Sequence, residues 1–544
     1  MKLFGIVSLF IATAATGLAQ TNAPETRKLS LTDCIEIALE HNFDVQIVRF
    51  NPQIARYTLA SSYGAYDPSL SLSGQHENST QPGGVDAQGR IFAGSDSQMN
   101  SFAAGLNGVL PWGMNYNLGA SASDQWGTKP GIAINPNNPT GFTTNTFLDG
   151  GGNTVTLIST NYGTVQTRIP YENTSAQAAA LTLSQPLLKN FWIDPTRYQI
   201  YVNKSNIKIT QEDFRAQVMT TMTSVEAAYF NVISAQDFVR VQEQALALAE
   251  QLLAENKKKV EVGAMAPLDE KQAEAQAASS RADLLAAQAS LDTARRVLKN
   301  LLSDNYAKDW ADVVVAPTDL LLALPQHFDL QESWRMGLAK SPALTSKRIN
   351  LDVAKYNIRL QRNQLFPELD VIGSYGYSGS GQEYSDALGQ IGNQSNPFWT
   401  IGGQLSIPLG QSSARNNLKS AKAGRAQLAM QLKQAEQTLL ITIENDIGTA
   451  KADFEQVDAT HQARLYAELA LDAEQKKLEN GKSTNFEVLS LQSNLTTARA
   501  NEIKALANYN IALAQLAFDE GSTLERRNVS LNLVTLEAQP INGK

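Results

Sequence analysis

The chain has 544 residues and a net charge of −8, and it contains no dense run of Lys or Arg. These features exclude nucleic acid as an expected partner, because binding to the phosphate backbone needs a concentrated positive surface. The single cysteine, Cys34, excludes an intramolecular disulfide framework, and the four histidines lack the spacing of a metal site. We predict no metal and no cofactor, and long stretches rich in Ala, Gln, Asn, Ser and Thr favour an elongated protein.

The first 19 residues have the pattern of a secretory signal peptide. Lys2 precedes an apolar stretch from Leu3 to Ile11, and Gly17 and Ala19 place small side chains before a cut after Ala19. A transmembrane anchor is the alternative, but the apolar stretch is shorter than the ~20 residues that cross a bilayer. We expect the mature chain to begin near Gln20.

Beyond the signal peptide, no run of eighteen apolar residues occurs, so we expect no transmembrane helix in the mature chain. Two possibilities remain: a soluble protein, or a membrane β-barrel whose strands alternate apolar and polar side chains. Residues 369–377 and 399–407 alternate in this way over the ~9–11 residues that a tilted barrel strand needs. Leu70 with Leu72, and Leu181 with Leu183, repeat the alternation and favour the barrel.

The chain contains two copies of one pattern. Lys259–Gly263 aligns with Lys477–Gly481 without gaps, and Leu31–Leu39 matches Leu330–Leu338. Each copy has a medium helix, a β segment bounded by prolines, a very long helix, a Gly turn and a return helix. The long helices, predicted at residues 196–262 and 412–480, would each extend about 100 Å at 1.5 Å per residue, too long for a single globule.

A seven-residue repeat marks the first long helix and predicts left-handed supercoiling. An ordinary coiled-coil dimer is the alternative, but it would not explain the paired return helices or the β segments. Pro52 and Pro342 are expected to kink or interrupt the medium helices, predicted at residues 29–66 and 329–366. The positions of the repeat are Val218, Val225, Val232, Val239, Leu246, Leu253 and Val260.

The first β segment is much longer than the second. Its extra residues, 75–97 and 125–174, are rich in Gly, Asn, Thr and Pro, which is typical of exposed loops, and we place them outside the cell. Between them, residues 102–110 and 116–122 flank the turn Pro111–Gly113 and predict a hairpin. That hairpin either adds two membrane strands or lies outside the membrane, so two and four strands both remain possible.

This order divides the chain into nine segments. They are a signal peptide (1–19), the first medium helix (20–66), the first β segment with long extracellular loops (67–186), the first long helix, tip and return helix (187–303), a linker (304–327), the second medium helix (328–366), the second β segment (367–408), the second long helix, tip and return helix (409–521) and a C-terminal tail (522–544).

The doubled order resembles the TolC-like outer-membrane efflux proteins, also called outer membrane factors. The residues that carry the resemblance are Leu29–Leu39, Ser184–Leu188, Ser406–Leu409 and the turns at Gly263 and Gly481. The resemblance implies a homotrimer whose β segments form one outer-membrane β-barrel, usually with four strands per subunit. The resemblance implies that a long α-helical barrel continues this β-barrel in the periplasm. It implies as well that the protein is a passive exit duct for a tripartite efflux pump or type I secretion system, and that it has no enzyme activity.

The resemblance also implies partners and functional residues. A periplasmic adaptor and an inner-membrane transporter would deliver substrates, and outer-membrane lipid would surround the barrel. Similar proteins narrow the periplasmic entrance with acidic residues at positions matching Glu487 and Ser490. Glu487 keeps the charge and Ser490 does not, while Asp269 and Glu270 add charge after the first turn. We predict a gated, cation-selective aperture, with helix-dipole complementarity in a first turn as the alternative role of Asp269 and Glu487.

The turns between the long and return helices are the predicted docking tips for the adaptor. Gly263 and Gly481 suit the positive φ that often ends a helix, and Pro267 suits the first position of the helix that follows. Two other classes of function fit the sequence less well. Gly373, Gly376 and Gly379 have the spacing of a phosphate loop, but no helix follows them, so an enzyme is disfavoured. A surface coiled-coil adhesin or structural envelope protein would share the seven-residue repeat but not the paired half-length helices.

Overall fold

The structure is a computed structural model, and it describes residues 25–530 except 86, 88, 90 and 264. The predicted signal peptide and residues 531–544 of the predicted tail lie outside the described residues. The chain forms two compact units. Residues 56–205 and 350–427 make up the second unit, which contains the large sheet, and the remaining described residues make up the first, which is mainly helical.

The helices and strands follow the doubled order along the chain. The first half contains β1 (Glu25–Leu29), α1 (Leu31–His41), α2 (Phe43–Tyr63), β2 (Ser69–Gln81), β3 (Gly84–Val85), β4 (Ile91–Phe92), β5 (Ser95–Val109), β6 (Asn115–Leu148), β7 (Thr154–Pro186), α3 (Pro195–Glu261) and α4 (Pro267–Leu302). The second half contains α5 (Tyr306–Asp309), β8 (Val313–Pro317), α6 (Leu330–Lys340), α7 (Pro342–Asn363), β9 (Glu368–Gly381), α8 (Tyr384–Gly392), β10 (Pro397–Ser406), α9 (Ser412–Glu479), α10 (Asn485–Asp519) and α11 (Thr523–Arg526).

The long helices agree closely with the prediction, since α3 has 67 residues and α9 has 68. The medium helices differ, because each consists of two shorter helices. Asn42 ends α1 in an extended conformation, and its Oδ1 accepts a hydrogen bond from the Asp44 N–H at 2.9 Å, which starts α2. The break at Pro342 is confirmed. At Pro52 the helix is not interrupted, since this proline lies inside α2 with its ring buried.

Helix α3 buries the predicted apolar stripe over part of its length. Val218, Val225, Val232 and Val239 are buried in the core of the helical unit, as the seven-residue repeat predicts. Beyond Val239 the buried positions change, and Leu246, Leu253 and Val260 are partly exposed. The residues buried there are Val241, Gln242, Ala249, Leu252 and Asn256. Within the described residues, no helix is both long enough and apolar enough to cross a membrane.

The segment predicted as a linker, 304–327, contains ordered structure. Its strand β8 pairs in parallel with β1, from Glu25 opposite Val313 to Leu29 opposite Pro317. Leu29 therefore ends a strand and does not begin a helix. The predicted tail also begins as ordered structure, because residues 522–530 include α11 and bury Thr523 and Leu524.

The second unit contains a six-stranded antiparallel sheet in the order β10-β9-β7-β6-β5-β2. The hairpin predicted around Pro111–Gly113 is confirmed as β5 and β6, joined by a turn in which the Leu110 N–H donates to the Met114 carbonyl at 2.8 Å. The first β segment thus places four strands in this sheet. The second places two, and α8 lies between them.

The loops predicted at residues 75–97 and 125–174 are mostly strands. β6 and β7 pair from Asn115 opposite Ser184 to Leu148 opposite Thr154, and their outer part extends beyond the six-stranded region as a two-stranded hairpin. Asp149 closes its turn by accepting hydrogen bonds from the backbone N–H groups of Gly151 and Asn153, both at 2.9 Å. The loop prediction failed because it relied on the Gly, Asn and Pro residues of these segments. Thr, Val and Ile, which favour strands, also recur there.

Candidate functional site at the helix tips

The second tip, residues 479–485, is a closed helix-to-helix turn. Gly481 has φ of +69°, its N–H donates to the Leu478 carbonyl, and the Lys482 N–H donates to the Lys477 carbonyl at 2.8 Å. This is the Schellman arrangement, in which a residue with positive φ satisfies the free carbonyls at a helix end. Thr484 then starts α10, because its Oγ1 accepts from the Glu487 N–H at 3.3 Å.

The first tip lies between α3 and α4 and also has a glycine with positive φ at its helix end. Gly263 has φ of +75°, and its N–H donates to the Val260 carbonyl at 3.0 Å. Pro267 occupies the start of α4. The predicted conformations of Gly263, Gly481 and Pro267 are therefore confirmed. At both glycines a Cβ would meet no atom within 4 Å, so only the backbone conformation requires glycine there.

The predicted aperture residues lie in the first turns of the two return helices. Glu487 and Ser490 are exposed on α10, and Asp269 and Glu270 are partly exposed on α4. The two helix starts are in contact, because the Asn485 Nδ2 donates to the Asp269 carbonyl at 3.4 Å. The structure thus brings the two predicted acidic positions to neighbouring helix ends. Carboxylates in a first turn also complement the helix dipole, so the dipole alternative stays open for these residues.

A small apolar cluster holds the tips together. Leu252 of α3 and Leu471 of α9 pack with Val488, Leu489 and Leu495 of α10. These side chains come from three of the four helices that form the tips. The two helical hairpins of one chain therefore share a core near their tips.

Two asparagines are buried close to the tips, one near the end of α3 and one at the start of α10. Asn256 of α3 is fully buried, and among the described residues neither polar atom of its side chain has a hydrogen-bond partner. Asn485 of α10 is also buried, and its Oδ1 is likewise unpaired within the described part of the chain. An unpaired buried polar group costs about 1–3 kcal/mol. The tips are consequently less tightly held than an apolar core of the same size.

An ion-pair network joins α9 to α10 farther from the tips. The Arg464 Nε lies 2.5 Å from Glu502, and the Arg499 Nη2 lies 2.8 Å from Glu468. Arg499 also donates to the Gln244 Oε1 of α3 at 2.8 Å, which extends the network to the other helical hairpin. Hydrogen bonds from Arg499, together with Arg464, hold the pKa of Glu468 below its usual range. This network fixes the second return helix against its long helix.

Sequence reasoning did not identify the two asparagines or the ion-pair network. Asn256 takes its place in the buried stripe only after the stripe leaves the seven-residue repeat. Arg499 was visible only as the repeat-related counterpart of Arg281. The sequence of one helix does not indicate which residues of a neighbouring helix it contacts. These contacts could therefore be identified only in the structure.

Known proteins share both the sequence pattern and the fold. Outer membrane protein TolC of Escherichia coli (strain K12) is 25% identical over 367 residues, which cover 66% of this chain and 72% of TolC. Alkaline protease secretion protein AprF of Pseudomonas aeruginosa is 24% identical over 356 residues, covering 63% of this chain and 69% of AprF. The crystal structure of the Campylobacter jejuni CmeC outer membrane channel matches with a TM-score of 0.61 and 15% identity, over 98% of this chain and 99% of that one.

The family comparison covers both repeats. The model of the family described as "Outer membrane efflux protein" matches residues 158–303 and 335–519, which is more than half of the chain. The predicted family, outer-membrane location and export role are confirmed by this match and by the relatives. The chain belongs to the outer membrane efflux protein family.

Proposed function

We propose that three copies of this chain form a passive exit duct through the outer membrane. The sheets of the three copies form one barrel in the lipid, and the long helices continue it as a helical barrel in the periplasm. A periplasmic adaptor docks on the tips and connects the duct to an inner-membrane transporter. The transporter and adaptor select the substrate, because a passive duct contributes no energy-coupled step.

The contact between the two tips carries this proposal. Each chain presents two helical hairpins whose return helices start side by side, joined by Asn485 and the Asp269 carbonyl. Three copies arranged about one axis would place six such tips around a single entrance. Gly263, Pro267 and Gly481 shape the surface that the adaptor contacts.

The same arrangement supports a gated aperture. Glu487, Asp269 and Glu270 would repeat around the axis, and a ring of like charges concentrates cations at a constriction. Ser490 supplies no second charge one turn after Glu487, so the cation preference would be modest. The unpaired side chain of Asn256 and the unpaired Oδ1 of Asn485, among the described residues, lower the cost of moving the tips. The network of Arg464 and Arg499 resists that motion.

The experiment is expression of the full chain in a Gram-negative host. We expect outer-membrane fractionation, cross-linking up to a trimer, and ion conductance of the purified trimer in planar bilayers. A cytosolic protein, a ladder that stops at dimers, or a trimer without conductance would overturn the proposal. A soluble enzyme or a surface adhesin would give no conductance, so the same measurement separates the alternatives.

A further inference from the structure

The six-stranded sheet has two chemically different faces. In an antiparallel sheet, directly opposed residues lie on the same face, so the strand register defines complete rows of side chains. One row crosses all six strands and is entirely apolar or aromatic. It consists of Leu70, Leu106, Leu118, Leu181, Tyr375 and Trp399.

The next row along the strands lies on the opposite face and is entirely polar. It consists of Ser69, Asn107, Asn117, Thr182, Ser374 and Thr400. The large side chains of the apolar row are exposed in a single chain, with Leu70 and Trp399 each 70% exposed. A sheet with one exposed apolar face and one polar face matches a barrel wall between lipid and an aqueous lumen.

Both ends of this two-faced region have a recognisable boundary. On the apolar face, a polar row formed by His76, Asn100, Asp124 and Thr174 crosses the four strands of the first β segment. Within it, His76 Nδ1 lies 2.8 Å from Asn100 Oδ1 and Thr174 donates to Asp124 at 2.9 Å. From Pro68 to His76 the chain counts nine residues, close to the ~9–11 of a barrel strand.

The other boundary is the turn between β5 and β6. Arg197, in the first turn of α3, donates from Nε to the Pro111 carbonyl at 3.0 Å and from Nη1 to the Phe191 carbonyl at 2.7 Å. The turn therefore lies at the end of the sheet where the long helix begins. Strands β2 and β5 run between the same two boundaries as β6 and β7.

Resting on the proposed trimer, we infer that all six strands of each chain cross the outer membrane and that β2 of one copy pairs with β10 of the next. Three copies of the six-stranded sheet then close a barrel of eighteen strands. The four strands per subunit implied by the family resemblance would give twelve. Because barrel diameter grows roughly linearly with strand number, this barrel is about 1.5 times wider and can hold an aqueous channel.

The two sheet edges fit this role. Within the described residues, β2 and β10 each pair with a strand on only one side. From Ser69 to Gln75 and from Pro397 to Ser406 neither edge contains a charged residue, whereas exposed edges of soluble sheets usually carry charge that prevents pairing. Open edges do not occur in lipid, because unpaired backbone groups there cost several kcal/mol each. A second copy of this chain is the occupant that satisfies both edges.

The first test measures which strands contact lipid. Single cysteines replace Leu72 and Ser71 in β2, and Ile401 and Thr400 in β10, in the assembled full chain; native Cys34 is fully buried and stays in place. We expect Leu72→Cys and Ile401→Cys to react with a membrane-impermeant maleimide at least about ten-fold more slowly than their neighbours, because lipid disfavours the reactive thiolate. If Leu72→Cys reacts as fast as Ser71→Cys while Ile401→Cys stays protected, β2 is outside the membrane. The six-strand inference would then be wrong, and the proposed function would still stand.

The second test measures the pairing of the edges. Leu70→Cys is combined in turn with Trp399→Cys, Ile401→Cys, Gly403→Cys or Leu405→Cys, which lie at successive positions on the apolar face of β10. We expect one combination to form disulfide-linked trimers under oxidation. Intact trimers without a cross-link in any combination would overturn the inference and leave the proposed function standing. Absence of the trimer itself would overturn both.

Discussion

Glu226 of the first long helix and Arg527, which follows α11, form a bidentate ion pair. The Arg527 Nε and Nη2 donate to the two carboxylate oxygens of Glu226, both at 2.7 Å. The Glu226 side chain is 5% exposed and the Arg527 side chain 29%. Paired hydrogen bonds of this kind are strong and geometrically specific. They tie the C-terminal segment of the chain to the helix of the first repeat.

Replacing Glu226 with Gln should lower the free energy of unfolding by about 1–3 kcal/mol. This is less than for a fully buried pair, because Arg527 keeps contact with water. The measurement is loss of helical circular dichroism in denaturant for the purified protein. Glu444→Gln is the matched control, since Glu444 is the repeat-related position and is exposed. Equal stability of the wild type and Glu226→Gln would show that the ion pair contributes nothing.

The tip glycines should be required for docking but not for assembly. Gly263→Val or Gly481→Val forces a β-branched residue into positive φ, at a cost of about 1–2 kcal/mol, so the turn changes shape. We expect loss of adaptor capture and of export, with the trimer retained. Gly448→Val adds the same side chain within α9, where a Cβ also meets no atom within 4 Å. Export that persists in both tip variants would count against the docking assignment.

Glu487 should set the cation preference of the entrance. We expect Glu487→Gln to reduce the cation selectivity, because one carboxylate per subunit is removed from the aperture. Ser490→Asp should change selectivity in the opposite direction, since it adds a charge one helical turn away. The measurement is the reversal potential of single channels across a salt gradient. Unchanged selectivity in Glu487→Gln would leave this carboxylate with the role of complementing the α10 dipole.

The stability of the helical unit should depend on Asp446. Burial raises its pKa to about 7, and the adjacent Asp519 carboxyl adds to the shift through a shared hydrogen bond and like charge. Between pH 3.8 and about 7, the native state therefore keeps a proton on Asp446 that the unfolded chain has released. Stability from this group is complete below pH 3.8 and is lost as the pH rises to about 7.

Asp446→Asn should remove this pH dependence. We expect the variant to be more stable than the wild type at pH 8 and nearly equal to it at pH 3.5, because the amide carries no charge at either pH. The measurement is the apparent melting temperature of the helical signal at the two pH values, with Glu444→Gln as the control. A stability difference between variant and wild type that stays the same at both pH values would contradict the assignment.

Local signals predicted the long helices and their turns. Gly263 and Gly481 mark the helix ends because positive φ is a requirement of the backbone itself, independent of distant contacts. Strand β8 escaped prediction, since its five residues are too few to distinguish from a linker without the partner strand β1. Helix α8 contains two glycines and has low intrinsic propensity. It packs closely on Gly379 of β9, so tertiary contact and not local preference makes it helical.

The parallel pairing of β1 with β8 has a consequence for the order in which the chain folds. The Leu31 N–H at the start of α1 donates to Asp319 at 2.8 Å, across a sequence separation of 288 residues. Loop-closure entropy grows only slowly with loop length, so the long separation lowers the stability of this contact only slightly. The contact nevertheless forms slowly, because its two segments are far apart in the sequence. During export, which starts at the N-terminus, β1 has no partner strand until β8 has also been exported, and by then more than half of the chain has followed. Pulsed hydrogen exchange should therefore find the amides of β1 among the last to gain protection, well after those within α3.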